Sequence, residues 1–101
     1  MLYMIFDKKE NMNLVKVGKA RNLGERAAGY TTHNPTAEMR WKSQGTGAEE
    51  QSARKQIMDM GGERVIKRSE WLVVDNALYN LLYEQGFSAL KGFSRKNPRR
   101  Y

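Results

Sequence analysis

The chain opens on five consecutive apolar residues, Leu2-Tyr3-Met4-Ile5-Phe6, the length and texture of a strand buried on both faces. Asp7 to Asn13 is polar and reads as a loop. Leu14-Val15-Lys16-Val17-Gly18, β-branched at 15 and 17, predicts a second strand, and the short connection predicts an antiparallel hairpin. Asn22 with Glu25 three residues on predicts a capped helix running to Tyr30. Leu23, Ala27 and Tyr30 fall on one face of it, and Arg26 lies on the same side. Thr31 to Pro35 reads as a turn, and the alternation in Met39-Arg40-Trp41-Lys42-Ser43 predicts a half-exposed third strand.

Thr46 and Glu49 form a T-x-x-E capping box that opens a second helix of about 12–14 residues. Its apolar stripe is Ala53, Ile57 and Met60, and Gly61-Gly62 stops it. Trp71-Leu72-Val73-Val74 is a further apolar strand; Asp75 then caps a helix with Leu78, Tyr79, Leu81, Leu82 and Tyr83 on a wide apolar face, ended by Gly86. The order β-β-α-β-α-β-α predicts an α+β fold, a small, mainly antiparallel sheet flanked by helices.

Length and charge sharpen this picture. At 101 residues the chain fits one domain, here residues 1–90, followed by a basic tail at 91–101. The absence of cysteine removes disulfide scaffolds and thiolate zinc sites, and the lone His33 removes a histidine-based zinc cluster. Any metal would be held mainly by oxygen, which suits Mg²⁺ or Mn²⁺. No run approaches the ~20 apolar residues of a membrane span, so the expectation is a soluble cytoplasmic protein with no membrane partner. The net charge is +7, yet residues 1–90 carry 13 basic and 11 acidic side chains. The excess sits in Lys91, Arg95, Lys96, Arg99 and Arg100, a pattern that attracts polyanions, nucleic acid foremost; a merely solvating tail is the plainer alternative.

No single short motif specifies a chemistry. The informative signal is joint: Tyr3 and Gly18 on the predicted hairpin, Arg26 and Tyr30 on the helix after it, and an acid, Glu49 or Glu50, on the next helix. Each has an ordinary structural role open to it. Tyr3 could be a core tyrosine, Arg26 a snorkelling surface arginine, Tyr30 a packing residue, Lys16 a strand-surface lysine, and Glu49 is already the cap partner of Thr46.

This arrangement resembles the GIY-YIG nuclease superfamily. Met1-Leu2-Tyr3 stands where G-I-Y would be, and Lys16-Val17-Gly18 stands where Y-I-G would be. From Val17 to Arg26 the chain matches the family's stretch between the second motif and its arginine without a gap, and Tyr30 matches a position holding histidine or tyrosine. Glu50 followed by Ala53-Arg54 and Ile57, then Glu70-Trp71, is similar to the compact branch seen in phage and bacterial reading frames; the resemblance spans roughly residues 1–75. It implies a metal-dependent endonuclease acting on DNA, with RNA a further candidate, in a bacterial or phage-infected cell. It implies catalytic roles for Tyr3, Arg26, Tyr30 and Glu50, with Tyr3 positioning or activating water and Arg26 stabilising charge on phosphorus. Glu50 would hold Mg²⁺ or Mn²⁺, and a homodimer is one form that would cut both strands. Lys16, Lys19, Arg21, Arg95, Lys96, Arg99 and Arg100 are the expected nucleic-acid contacts. Two departures, Lys16 at the second-motif tyrosine and no clear match among Asn76 and Asn80 for a late asparagine, would also suit an inactive module that binds nucleic acid or a partner. A third reading is an interaction protein whose tail meets an acidic partner.

Overall fold

The computed structural model describes residues 1–33, 35–65, 70–93 and 99–101, with backbone only at 31–33 and 99. The element order is β1 (Leu2–Lys8), β2 (Asn13–Lys19), α1 (Leu23–His33), β3 (Ala37–Ser43), α2 (Gly47–Asp59), β4 (Glu63–Arg64), β5 (Trp71–Val74), α3 (Asn76–Gln85), a 3₁₀ turn over Gly86–Ala89, and β6 (Arg99–Arg100). The fold is α+β, as expected. All strand pairs are antiparallel, and the sheet runs β4-β5-β2-β1-β3-β6.

The run Leu2–Phe6 becomes a central strand because it is apolar, and buried, on both faces. Leu2, Met4 and Phe6 join Val15, Val17, Leu72 and Val74 under α2 and α3, which contribute Ala53, Ile57, Leu78, Tyr79 and Leu82. The alternate positions Tyr3 and Lys16 point to the opposite face, where Tyr30 of α1 meets them. Both capping predictions hold: Thr46 and Glu49 bond reciprocally, and the Asp75 side chain accepts from the Leu78 N–H at 2.7 Å. Asn22 accepts from the Glu25 N–H at 3.0 Å, opening α1.

Several boundaries differ from the sequence expectation, each for a physical reason. Strand β1 continues through Asp7, which is buried because Thr36 donates to one carboxylate oxygen at 2.6 Å and Lys9 pairs with the other at 3.2 Å. Helix α1 extends through Thr31–His33 in place of a turn. Met60 is exposed rather than part of the α2 stripe, because it follows the last helical residue. The 91–101 segment is not wholly a tail. Gln56 clamps the Lys91 backbone through both its amide groups, at 2.8 and 3.0 Å, and Phe93 is buried against Phe87. At the far end Arg99 and Arg100 pair with Lys42 and Trp41, and the Tyr101 N–H donates to the Arg40 carbonyl. Among the described residues, no helix is long and apolar enough to cross a membrane.

Gly86 ends α3 at φ +56°, ψ −133°, and a Cβ there would fall on the Trp41 ring. The backbone conformation is one that side chains rarely adopt, and the ring is held in place by its own Nε1–H bond to the Tyr83 carbonyl at 2.9 Å. Gly86→Ala should therefore lower the unfolding free energy by about 2–4 kcal/mol, read by urea denaturation.

Candidate functional site

The site is built on the α1 face of the β1–β2 hairpin. Tyr3 lies directly opposite Gly18, and any side chain at Gly18 would occupy the space of the Tyr3 ring and hydroxyl. The missing side chain lets the phenol cross β2 while remaining only 2% exposed. There it meets Tyr30 from α1, ring centroids 6.3 Å apart, and Tyr30 in turn stands edge-on to Trp71 at 6.1 Å. Lys16 occupies the rung that pairs with Trp71. Its ammonium donates to the Tyr30 hydroxyl and pairs with Glu70 Oε2 at 3.4 Å.

The β2–β5 ladder ends at Lys16 and Trp71, and one residue further the Val17 carbonyl accepts from Arg54 Nη2 at 3.1 Å. Arg54 thus reaches from α2 to the end of the ladder. The same nitrogen pairs with Glu50 Oε2 at 2.7 Å, one helical turn away, and lies 4.0 Å from Glu70 Oε1. Lys16, Glu70, Arg54 and Glu50 form one continuous chain of opposite charges beside the two phenols. Glu49 is spent on the capping box, whereas Glu50 faces the cluster.

Arg26 and Arg21 lie beside this cluster on a groove of about 690 Å³ whose lining also includes Ala20, Asn22, Gly29 and Tyr30. Arg26 is exposed, so its guanidinium meets the groove rather than being covered by the sheet, yet its charge is felt at both phenols.

The electrostatics separate the two tyrosines. Burial pushes the Tyr3 hydroxyl well above the ordinary phenol range, and its hydrogen bond to Tyr30 pushes the same way. Burial would also raise Tyr30, but the hydrogen bonds from Lys16 and Tyr3 and the charges of Lys16 and Arg26 outweigh it and pull that hydroxyl down. Of the two phenols, Tyr3 is held protonated by burial and donates to Tyr30, whose hydroxyl is the easier of the two to ionise.

The remaining expected residues fall in different places. The Lys16 side chain is 12% exposed and engaged with Glu70 and Tyr30. Lys19 is exposed at the end of β2, opposite Leu2. Arg100 is exposed on β6, at the other edge of the sheet from β4 and β5, and Arg99 pairs there through its backbone. Arg95 and Lys96 lie outside the described residues. Sequence reasoning passed over Arg54 and Glu70 as site residues. The four-residue spacing of Glu50 and Arg54 was a signal for the first; for the second, only its place immediately before an apolar strand.

The donor set bears on metal binding. Among the described residues no three His, Cys, Asp or Glu side chains gather into a cage. One part-buried carboxylate, Glu50, with Glu70 near the same guanidinium, is a set that fits Mg²⁺ or Mn²⁺, which take one or two protein carboxylates and fill the rest of their shell with water and phosphate oxygens.

An alkaline titration followed by phenolate absorbance should show one tyrosine ionising below the 10.0 of a free phenol. Tyr30→Phe should abolish that step, and Lys16→Met should move it upward. The linkage signs are opposite for the pair. Ionising Tyr30, whose hydroxyl is pulled down by the fold, favours the folded state as pH rises towards 10.0; ionising Tyr3, which is pushed up, opposes folding above it.

No protein-family model matches this chain, and neither a curated protein nor a solved structure matches it.

Proposed function

We propose that the protein is a metal-dependent endonuclease that hydrolyses DNA phosphodiester bonds on a GIY-YIG-like domain. The observation that carries this reading is the Tyr30 hydroxyl. It accepts from both Lys16 and Tyr3, lies under the charge of Arg26, and stands beside the Glu50–Arg54–Glu70 chain at the edge of an open groove. A phenol with a lowered pKa between cations is a general base suited to deprotonating water near a phosphate.

In this mechanism Tyr30, as phenolate, takes a proton from water as the water oxygen attacks phosphorus, and the P–O ester bond opposite breaks. Tyr3 donates to the phenolate and holds it in place. Arg26 offers a planar pair of N–H donors to the oxygens on which charge grows, and the leaving alkoxide takes its proton from solvent. Arg54, anchored on the Val17 carbonyl, fixes the Glu50 carboxylate. Mg²⁺ or Mn²⁺ held by Glu50, once bound, supplies positive charge for the phosphate and the departing oxygen. Lys19, Arg21, Arg99, Arg100 and, outside the described residues, Arg95 and Lys96 add sequence-independent affinity that falls with salt.

One observation favours a second reading. The 2.7 Å bond from Arg54 occupies one Glu50 oxygen, and in a binding module that has lost the reaction the bond would simply lock the carboxylate.

Supercoiled plasmid incubated with Mg²⁺ or Mn²⁺ separates the two. Cleavage should require metal, stop in EDTA and vanish in Glu50→Ala, while Arg26→Ala should slow it by about 10²-fold or more. The rate should rise with pH as Tyr30 ionises, and Lys16→Met should displace that rise to higher pH. Salt-sensitive binding of plasmid and of an RNA transcript, with no cleavage of either, would establish the binding module instead.

A further inference from the structure

The groove beside Tyr30 is larger than a phosphate contact requires, and its charged residues share it with apolar surface. At about 690 Å³ it is of the size that encloses a small organic ligand. Ala20, Gly29 and the Tyr30 ring give it apolar wall, Arg21 and Arg26 give it two cations, and Glu25 adds a carboxylate. A ligand made only of phosphate and sugar would satisfy the arginines but would leave the apolar wall bare and meet repulsion at Glu25. A nucleobase has what remains: a flat apolar face, and N–H donors on its edge that a carboxylate accepts.

Resting on the nuclease reading above, we propose that this groove takes one unpaired nucleotide adjacent to the bond to be cut. Its base lies against Ala20 and Gly29, and its flanking phosphates meet Arg21 and Arg26. A base paired and stacked inside a duplex cannot enter such a groove without leaving the stack, at a cost of about 10-fold or more in affinity. The preferred substrates are accordingly single strands, bulges and frayed or branched ends rather than continuous duplex.

Gly29 provides a clean test. It lies within α1, its φ is not positive, and nothing stands within 4 Å of where a Cβ would be. Gly29→Leu therefore adds bulk at the groove wall from a Cβ that meets nothing, and it replaces a poor helix former with a good one, so the fold should be at least as stable. The probes are a fluorescein-labelled single strand, the blunt duplex, and the same duplex carrying one unpaired nucleotide, titrated in EDTA by anisotropy. The single strand and the bulged duplex should bind at least about 10-fold tighter than the blunt duplex. Gly29→Leu should bring all three to the blunt-duplex level with an unchanged or higher Tm, and Gly29→Ala should retain most of the preference.

Equal binding of all three probes by the unmodified protein, or a preference that survives Gly29→Leu, would overturn the proposal. Plasmid cleavage in a parallel reaction shows separately whether the nuclease reading stands. A Gly29-dependent preference without cleavage under any metal would uphold the groove and overturn the catalytic role.

Discussion

The contact on which the site depends is the passage of the Tyr3 ring over Gly18. Strand β1 is buried on both faces, so a large polar-tipped side chain on its α1 face must either find a route to a hydrogen-bond partner or leave a hydroxyl unsatisfied. The bare backbone of Gly18 provides that route, because the residue opposite Tyr3 contributes no side chain. Everything else on this face is arranged around the resulting phenol. Tyr30 comes down from α1 to accept from it, Lys16 rises from the next rung to meet Tyr30, and Trp71 closes the side away from Tyr3.

The second constraint is the late start of β5, at Trp71. Because the β2–β5 ladder stops at Lys16 and Trp71, the sheet has an open backbone position just where α2 passes. Arg54 fills it. A guanidinium has donors enough to serve the Val17 carbonyl and a carboxylate together, which a lysine ammonium would do with less directional control. The helical spacing of Glu50 and Arg54 means that fixing one fixes the other. Glu50 is thus positioned by where a strand distant in sequence begins.

This division explains what could be read from the chain. Signals that are local in sequence were legible: the apolar run 2–6, the Thr46–Glu49 box, and the Asp75 cap each act within a few residues. The two-residue strands Glu63–Arg64 and Arg99–Arg100 carried no apolar pattern to detect, because they sit at sheet edges and consist of charged residues. Phe87, Leu90 and Phe93 are buried beyond Gly86, where the helical period has already stopped. Lys16 was the most instructive case. Strand alternation alone puts it on the face away from the main core, which reads as solvent; its burial comes from Tyr30 of α1 and from the adjacent pair Glu70 and Trp71, brought in by two separate segments. Tyr3, Arg26, Tyr30 and Glu50 were selectable as a group only because several ordinary residues fell into one joint pattern.

The asymmetry between the two phenols follows from their surroundings rather than their identity. A pair of tyrosines sharing one hydrogen bond can place a negative charge on either oxygen, and the protein decides which by where it puts donors and water. Tyr3 is enclosed by β-sheet and has its one partner at Tyr30, so charge on its oxygen would lose solvation and face another phenol. Tyr30 is less enclosed, has two donors aimed at its oxygen, and feels the Arg26 charge from the groove side. Of the two oxygens, that of Tyr30 is the one better able to carry charge. A lysine at position 16 is integral to this outcome. A tyrosine there could donate one neutral hydrogen bond, but it would not bring the positive charge that offsets the burial of the Tyr30 phenolate. Lys16 thus favours charge on Tyr30 over Tyr3, while the sheet, Arg26 and Glu50 keep their places around the pair.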